Sequence, residues 1–361
     1  MRLMELGWNE YFAALWQDCA QLGWGPARVV SQQRGLWRVA GDFADCWAEA
    51  SGTLRESAEQ GGDWPAVGDW VAVQLLDGGE RGLIHQVLPR RGKFARKVAG
   101  RRVEEQVLAA NVEVALLIMA LDGDFNVRRL ERYLAQSWES GAKTVVVLNK
   151  ADCCADVAAR VSEVEQIAPG VPVIAVSAKD GSGFDVLRNL MAQGQTLVLL
   201  GSSGVGKSTI VNRLMEREAQ ATNAVRESDS RGRHTTTSRE LFALPSGTLI
   251  IDTPGLRELA LWEAGDGLRQ VFGDIEAISQ ECRYRDCGHT SEPGCAVLAA
   301  IESGRLDAER LANRRKLERE QQFLQRKMDP EAQAKYTNRV RALHRGVRKM
   351  YDERKKGGGK E

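Results

Sequence analysis

One nine-residue segment, Gly201–Thr209 (GSSGVGKST), constrains the fold of this 361-residue chain more than any other. It matches the pattern G-x-x-x-x-G-K-[ST], follows the apolar run TLVLL and precedes the amphipathic run STIVNRLMER. Its glycines let successive backbone N–H groups face phosphate oxygens at a helix N-terminus. The segment predicts a strand, a phosphate-binding loop and a helix, in which Lys207 reaches the β- and γ-phosphates and the Ser208 hydroxyl ligates Mg²⁺. The predicted phosphate-binding residues are Gly201, Ser202, Ser203, Gly204, Val205, Gly206, Lys207, Ser208 and Thr209.

The sequence around this loop alternates between strands and helices. VEVALLIMAL and TVVVLNK are unbroken apolar runs, which is typical of parallel strands covered on both faces. The amphipathic segment VRRLERYLAQSWESG lies between them, and PVIAVSAK, TLVLLGSSG and TLIIDTPG predict three further strands. Ligands of such sheets bind outside the carboxyl ends of the strands. We therefore expect a nucleotide site at that edge, in an α/β domain covering residues 101–274.

Two short motifs at strand ends predict that the base is guanine. Asp152 of the NKAD sequence can accept hydrogen bonds from the guanine N1–H and exocyclic amine, whereas adenine offers no such donor pair and would leave the carboxylate unpaired. Asn149 is expected to brace the loop and Lys150 to cover the ring. The Ala178 amide is expected to donate to the guanine O6. The predicted base-binding residues are Asn149, Lys150, Ala151, Asp152, Ser177, Ala178 and Lys179.

A third motif, DTPG, follows the strand TLII. Asp252 is expected to hold Mg²⁺ through water, and the Gly255 amide to face the γ-phosphate. DTPG is also common turn chemistry, so its position about 45 residues after a phosphate loop carries the argument. In ordinary GTPases the phosphate loop and DxxG precede NKxD. Here NKAD and SAK come first, which predicts a circularly permuted domain.

A Cys₃His set follows the α/β domain: Cys282, Cys287, His289 and Cys295. Three thiolates and one imidazole suit a closed, tetrahedral, structural zinc site. The alternative is a set of unconnected thiols. We interpret the other cysteines, at positions 19, 46, 153 and 154, as core or incidental thiols. This pattern predicts a zinc-binding domain over residues 275–361, with a long helix in DAERLANRRKLEREQQFLQRK and a basic tail.

The first hundred residues have a different sequence pattern from the α/β domain that follows them. Residues 1–26 have aromatic residues at near-helical spacing, which predicts a helical extension packed on the next domain. From residue 27, ARVVS, LWRVA, DCWAEA, DWVAVQLL and GLIHQVL are separated by turn residues, which favours a five-stranded, OB-fold-like barrel. Pro89–Arg102 is basic and is interpreted as a connector that completes a unit spanning 27–100. Many small barrels bind no ligand, so nucleic-acid binding by the barrel stays open.

Charge and composition narrow the function classes. No apolar run approaches the length of a membrane span, and no signal peptide is evident. Seven cysteines without an export signal indicate reduced thiols and a cytoplasmic location. Residues 305–361 contain 18 basic and 9 acidic residues, a net charge of +9, which leaves −8 for residues 1–304. A basic tail on an acidic body favours nucleic acid as a partner, the alternative being a solvated helix with many i,i+4 ion pairs.

Together these motifs resemble the circularly permuted ribosome-assembly GTPases of the RsgA/YjeQ family. The resemblance covers nearly the whole chain and is carried by the order NKAD, SAK, GSSGVGKST, RGRHTTT, DTPG and CxxxxCxHxxxxxC. It implies a late-stage maturation factor that binds the 30S ribosomal subunit and its rRNA, with GTP hydrolysis stimulated by that subunit. A monomer is expected.

The segment RGRHTTTS, residues 231–238, lies where the first switch belongs. A threonine there is expected to complete the Mg²⁺ shell, Thr236 being preferred over Thr235. Leu256 stands where many GTPases have a water-positioning Gln, so His234 or a group from the ribosome is expected to position the water. The alternative for His234 is a plain loop residue. The rival functions are an RNA-binding protein with a structural guanine nucleotide and a kinase-type transferase, for which no acceptor site is evident.

Overall fold

The structure is a computed structural model that describes residues 2–17, 19, 23–33, 35–58, 61–98, 104–219, 239–252 and 265–328. The described residues contain thirteen strands in two sheets, one of eleven strands and one of two. The strands are β1 Gly25–Gln33, β2 Leu36–Gly41, β3 Phe43–Ala50, β4 Trp70–Leu76, β5 Arg81–Val87, β6 Lys93–Val98, β7 Glu104–Ala110, β8 Val114–Ala120, β9 Lys143–Asn149, β10 Val173–Ala175, β11 Thr196–Leu200, β12 Arg239–Ala243 and β13 Leu249–Asp252.

Eleven α-helices accompany these strands in the described part of the chain. They are α1 Arg2–Glu5, α2 Glu10–Trp16, α3 Gly52–Ser57, α4 Val127–Glu139, α5 Val157–Ile167, α6 Phe184–Asn189, α7 Lys207–Ala219, α8 Gly265–Val271, α9 Gly273–Ser279, α10 Ala296–Glu302 and α11 Ala308–Met328. None of the described helices has the length and apolar character needed to cross a bilayer.

The first five strands form a closed barrel. They follow the order β1-β2-β3-β5-β4, and β4 pairs back onto β1. All pairs are antiparallel except β3–β5. Alternate side chains such as Val29, Val39 and Ile84 fill the interior, because successive residues of a strand point to opposite faces. The predicted five-stranded, OB-fold-like barrel is confirmed.

The N-terminal helices pack against this barrel. Asn9 begins α2 by accepting a hydrogen bond from the Tyr11 amide, as an N-cap residue does. Phe12 is buried with Trp70, and the Trp8 ring lies edge-on to Trp70 with 4.7 Å between centroids. The predicted packing of the extension on the next domain is confirmed.

Part of the predicted connector is a hairpin. Strand β6 lies within Pro89–Arg102 and pairs antiparallel with β7. Phe94 is buried in the main core, while Lys93 pairs with Glu105 at 2.7 Å. The interpretation of this segment as a connector missed strand β6, because its basic residues mask a two-residue alternation that becomes evident only opposite a partner strand.

The central domain is an α/β sheet in the order β10-β9-β8-β11-β13-β12. Five of its strands are parallel, as the unbroken apolar runs predicted, and β8 is buried along its whole length. Strand β12 is antiparallel to β13 and was not predicted. Apolar cores lie on both faces of the sheet. This arrangement brings the carboxyl ends of five strands to one edge.

Strand β12 also joins the two β-structures into one sheet. It pairs with β1 of the barrel through Ser31 opposite Glu240 and Gln32 opposite Arg239. The barrel is thus continuous with the central sheet, one strand away from β13.

The C-terminal helices share a core with the central domain. Leu268, Phe272 and Leu311 pack in the same apolar cluster as Leu130 and Leu134 of α4. Together with the Cys/His cluster that precedes α10, they confirm the predicted helical C-terminal region. The boundaries at residues 26, 100 and 274 stay predictions.

Candidate nucleotide and metal sites

The predicted motifs meet at the carboxyl edge of the parallel sheet. NKAD begins at the end of β9, SAK follows β10, the phosphate loop follows β11, and Asp252 ends β13. Because parallel strands end at the same edge, motifs separated by many residues become neighbours.

The phosphate loop needs glycine at two close approaches. A Cβ at Gly206, whose φ is +96°, would lie 2.2 Å from Asn149 Nδ2, and a Cβ at Gly201 would lie 2.5 Å from the Ile118 carbonyl oxygen. Such contacts exclude any side chain. Lys207 begins α7, and its ammonium donates to the carbonyl oxygens of Gly201 and Ser202 at 2.7 and 2.6 Å.

Asn149 connects the phosphate loop to the SAK loop. This buried side chain donates from Nδ2 to the Val205 carbonyl at 2.8 Å, and its Oδ1 accepts from the Ala178 amide at 3.1 Å. A buried amide with both ends hydrogen-bonded rigidly fixes the two loops it joins. The bracing expected of Asn149 is present, and the Ala178 amide, expected to face the guanine O6, donates to Asn149 here.

Asp152 lies beside SAK. Ser177 Oγ donates to Asp152 Oδ1 at 2.8 Å, and Lys179 Nζ lies 3.9 Å from Asp152 Oδ2. Lys150 has left-handed backbone angles, φ 61° and ψ 39°, at the start of the turn that follows β9. Its ammonium pairs with Asp122 Oδ2 at 2.6 Å, and this hydrogen bond is the main reason that the pKa of Asp122 lies below its usual value.

Sequence reasoning missed a second group, at the phosphate loop itself. Arg129 donates to both carboxylate oxygens of Asp124 at 2.9 Å and to the Ser202 hydroxyl. Ser202 Oγ in turn donates to Asp124 Oδ2 at 2.7 Å. Burial raises the pKa of Asp124, but the hydrogen bonds from Ser202 and Arg129 outweigh it and hold the pKa below its usual value. The only local signal was an acid in the loop after β8, which no motif singles out.

Three predicted site residues lie outside the described residues. These are His234 and Thr236 in the segment 220–238, and Gly255 in the segment 253–264. Asp252 is described and is exposed at the end of β13.

The structure brings the four predicted zinc ligands together. The ligand atoms of Cys282, Cys287, His289 and Cys295 all lie within 4.8 Å of one another. His289 Nδ1 is 3.6 Å from Cys282 Sγ and 3.5 Å from Cys295 Sγ, and the two sulfurs are 4.0 Å apart. A tetrahedral ion with bonds of about 2.0 Å to nitrogen and about 2.3 Å to sulfur places its ligand atoms roughly 3.5 to 3.8 Å apart. The cluster therefore fits a four-coordinate metal ion.

Hydrogen bonds to the backbone fix the conformation of the loop that carries this cluster. Arg315 of α11 donates to the carbonyl oxygens of Gly288 and His289 at 3.0 and 2.6 Å. The Glu292 carboxylate accepts from the amides of Gly288, Thr290 and Ser291. Backbone hydrogen bonds lower the pKa of Glu292 to about 2, so the carboxylate stays ionised and keeps the loop folded around the ligands.

The order of the loops along this sheet defines the class of protein. The NKAD and SAK sequences come at the ends of β9 and β10, earlier in the chain than GSSGVGKST after β11 and Asp252 at the end of β13, so the domain is that of a circularly permuted GTPase. The structure of YloQ, described as a circularly permuted GTPase, shares the fold, with a TM-score of 0.56, 24% identity and coverage of 83% of this chain and 96% of that chain.

Sequence comparisons specify the family. The RsgA GTPase family model matches residues 87–262. The small ribosomal subunit biogenesis GTPase RsgA of Opitutus terrae is 43% identical over 357 residues, covering 96% of this chain and 97% of the relative. The protein of the same name from Streptomyces coelicolor is 44% identical over 365 residues, covering 99% and 96%. YjeQ from Thermotoga maritima superposes with a TM-score of 0.61 at 25% identity, covering 82% of this chain and 98% of that chain. The chain belongs to the RsgA GTPase family and is a GTP hydrolase.

Proposed function

We propose that this GTPase is a late maturation factor of the small (30S) ribosomal subunit, and that the subunit stimulates its hydrolysis of GTP. Support comes from relatives named small ribosomal subunit biogenesis GTPase RsgA, which are similar over nearly the whole chain. The observation that carries the proposal is this similarity along the whole chain, and the hydrogen bonds of Asn149 to Val205 and Ala178 support a common nucleotide site for the GSSGVGKST and SAK loops.

In this proposal the nucleotide is held at both ends. Asp152 and the SAK loop read the guanine edge, while the amides of the phosphate loop and Lys207 bind the phosphates. Asn149 sets the separation between these two halves because it is hydrogen-bonded to both. The proposed GTP-binding residues are those predicted from the three motifs, together with Asp252 and Gly255.

Hydrolysis then depends on positioning. Ser208, Thr236 and Asp252 offer the oxygen ligands that Mg²⁺ prefers, and the ion would neutralise charge on the β- and γ-phosphates. Lys207 adds a cation at the same oxygens. Either His234 or a group from the ribosome positions the attacking water, since Leu256 cannot.

The Cys₃His cluster is proposed to hold one structural zinc ion. Support comes from the soft, three-thiolate donor set and from ligand separations close to those of a tetrahedron. All four positions are supplied by the chain, so none is free for catalysis. One equivalent of zinc in the purified protein, released by a chelator together with a fall in melting temperature, is the expected result.

The proposed partners are the 30S particle and its rRNA. In this proposal the protein is a monomer and binds them in the cytoplasm. The basic excess of residues 305–361 supports an anionic partner. No disulfide joins the cysteines of the described residues.

The decisive experiment measures GTP hydrolysis with no addition, with small subunits, with large subunits and with free RNA. We expect slow intrinsic turnover and strong stimulation by small subunits alone. The Lys207→Ala variant should be inactive in every arm. Equal stimulation by large subunits would contradict the ribosomal assignment, and no turnover in any arm would favour the rival, an RNA-binding protein with a structural nucleotide.

The same assay tests the role of His234. If His234 positions the water, His234→Ala should lose most of the stimulated rate while GTP affinity changes little. A wild-type stimulated rate would assign the water-positioning group to the ribosome.

A further inference from the structure

Arg129, Asp124 and Ser202 form a group behind the phosphate loop that no motif includes. Arg129 lies in the first turn of α4, Asp124 in the loop between β8 and α4, and Ser202 is the second residue of the phosphate loop. We propose that Arg129 is a positioning residue for GTP hydrolysis: with Asp124 it fixes the Ser202 hydroxyl and thereby the place of Lys207. This inference rests on the role proposed above for Lys207.

Arg129 is itself held rigidly. Asn126 caps α4 by accepting from the Arg129 amide at 2.9 Å, so the backbone at this position is fixed. The guanidinium contacts both Asp124 carboxylate oxygens at 2.9 Å and the Asp124 carbonyl oxygen at 3.3 Å. The Arg129 side chain is only 28% exposed. Several contacts to one residue make this pair more constrained than an ordinary surface ion pair.

Arg129 and Asp124 both form hydrogen bonds with the Ser202 hydroxyl. Ser202 Oγ donates to Asp124 Oδ2 at 2.7 Å, and Arg129 Nη1 donates to Ser202 Oγ. A serine hydroxyl has one proton to donate and lone pairs to accept with. Here it donates to the carboxylate and accepts from the guanidinium, which leaves its rotation determined.

Ser202 also contacts Lys207, the residue proposed to bind the phosphates. The carbonyl oxygen of Ser202 accepts from Lys207 Nζ at 2.6 Å, beside the Gly201 carbonyl at 2.7 Å. Ser202 therefore contacts Lys207 through its main chain and the Arg129–Asp124 pair through its side chain. This loop must place an ammonium group on the transferred phosphate, so a small shift of the loop lowers the rate of hydrolysis.

The experiment compares Arg129→Ala, Ser202→Ala and the double variant with the wild type. Arg129→Ala should lower kcat for GTP by about tenfold or more, since misplacement of catalytic groups by about 1 Å can cost up to about 100-fold. The Kd for GDP should change by less than about threefold, because the base contacts are untouched and GDP lacks the γ-phosphate on which a displaced Lys207 has its main effect. Ser202→Ala should lower kcat similarly. The decrease in kcat of the double variant should be no larger than the larger of the two single decreases, because both changes remove the same contact between Arg129 and Ser202.

Arg128→Ala is the matched control. Arg128 precedes Arg129 in the same helical turn, but its guanidinium pairs with Glu131 at 2.7 Å and with Asp307, away from the phosphate loop. Its kcat should stay within about twofold of wild type if only the contact to Ser202 matters. Arg129→Lys should recover little, because the lysine side chain is one atom shorter and its ammonium falls short of the position of Nη1, the nitrogen that makes all three contacts.

Several outcomes would overturn the proposal. It fails if Arg129→Ala lowers kcat no more than Arg128→Ala, or if the losses in the double variant multiply. If Arg129→Ala melts at a much lower temperature, Ser202→Ala decides alone, and a wild-type kcat for that folded variant is contrary evidence. Lys207→Ala distinguishes failure of the proposed function from failure of this inference. If Lys207→Ala still hydrolyses GTP, the role proposed for Lys207 is wrong. If Lys207→Ala is inactive but Arg129→Ala has the wild-type kcat, only the inference about Arg129 is wrong.

Discussion

At the scale of single residues, Asn149 and Gly206 show how closely the two halves of the site approach each other. The Asn149 amide lies where a side chain at Gly206 would be, 2.2 Å from its Cβ position, and uses both polar ends to join loops on different strands. A hydrogen-bonded amide at such a short approach leaves no room to adapt. The loops that carry NKAD, SAK and GSSGVGKST are therefore held rigidly against one another.

The residue-scale prediction concerns Asp152→Asn. A carboxylate accepts from two guanine donors, whereas an amide offers one acceptor and one donor pair and suits a base with a carbonyl at that position. We expect GTP affinity to fall by roughly 100-fold or more and xanthosine triphosphate to become the better ligand. Competition binding with both nucleotides measures this.

Asp156→Asn is the control for that prediction. Asp156 caps α5 by accepting from the Ala159 amide, and Asn serves equally well in such a cap. It removes the same charge four residues away and should leave guanine preference intact. An unchanged preference in Asp152→Asn would contradict base reading by Asp152.

At the scale of elements, α4 contacts helices α8 and α11 and strands β8 and β9. Its first turn holds the phosphate loop through Arg129, and its buried Glu131 accepts from Arg310 of α11 at 2.6 Å. Arg310 also contacts Asp274 at 2.8 Å and the Val271 carbonyl at 2.7 Å. Burial lowers the pKa of Arg310, but the hydrogen bonds and charges of Asp274 and Glu131 outweigh this effect and hold the pKa above its usual value. The guanidinium therefore stays charged.

The element-scale prediction is that Glu131→Ala strongly destabilises the docking of α11. The change leaves Arg310 buried with one carboxylate fewer, and breaking a buried ion pair costs about 3 to 5 kcal/mol. Urea unfolding should show a lower midpoint, and α11 should become sensitive to protease. Glu163→Ala, which removes an exposed partner of Arg160, should cost no more than about 1 kcal/mol. Equal midpoints for the two variants would show that the buried network contributes little.

At the scale of the whole molecule, Arg28 lies where three parts of the chain meet. This fully buried side chain donates to the carbonyls of Leu6 in the N-terminal segment and Gly68 in the barrel, and to Thr196 Oγ1 at the start of β11, at 2.8 Å. Burial lowers its pKa to about 10, with Glu113 and Asp69 opposing the shift. It is therefore charged at neutral pH and satisfied by partners from all three parts.

The whole-molecule prediction is that Arg28→Ala loosens the barrel from the central domain. Several buried acceptors lose their donor together, so we expect a loss of about 3 kcal/mol or more in unfolding free energy. Arg28→Lys should not restore it, since one ammonium cannot replace the forked guanidinium. Arg38→Ala, which removes an exposed arginine 3.5 Å from Asp45, should be nearly neutral. Calorimetry and limited proteolysis provide the readout, and equal effects of the two alanine variants would refute the junction.

Much of the architecture was predictable because its signals are local. The parallel strands are apolar runs, the phosphate loop is a contiguous glycine pattern, and Cys282 to Cys295 span fourteen residues. Strand β12 and the hairpin β6–β7 were missed, because short polar strands have little periodicity of their own and acquire it from partners. The Arg129–Ser202 contact was missed for a related reason: 73 residues separate the two along the chain.

The permuted GTPase fold and the family follow from the sequence alone, because the order of NKAD, SAK, GSSGVGKST and DTPG and the Cys₃His spacing are written within short segments. What holds those segments in place is seen only in the folded chain. Arg129 on Ser202, Arg310 on Glu131 and Arg28 on Thr196 are contacts between elements distant in sequence. Such pairings arise when parallel strands and packed helices bring separate segments together, and no local pattern specifies which arginine meets which partner.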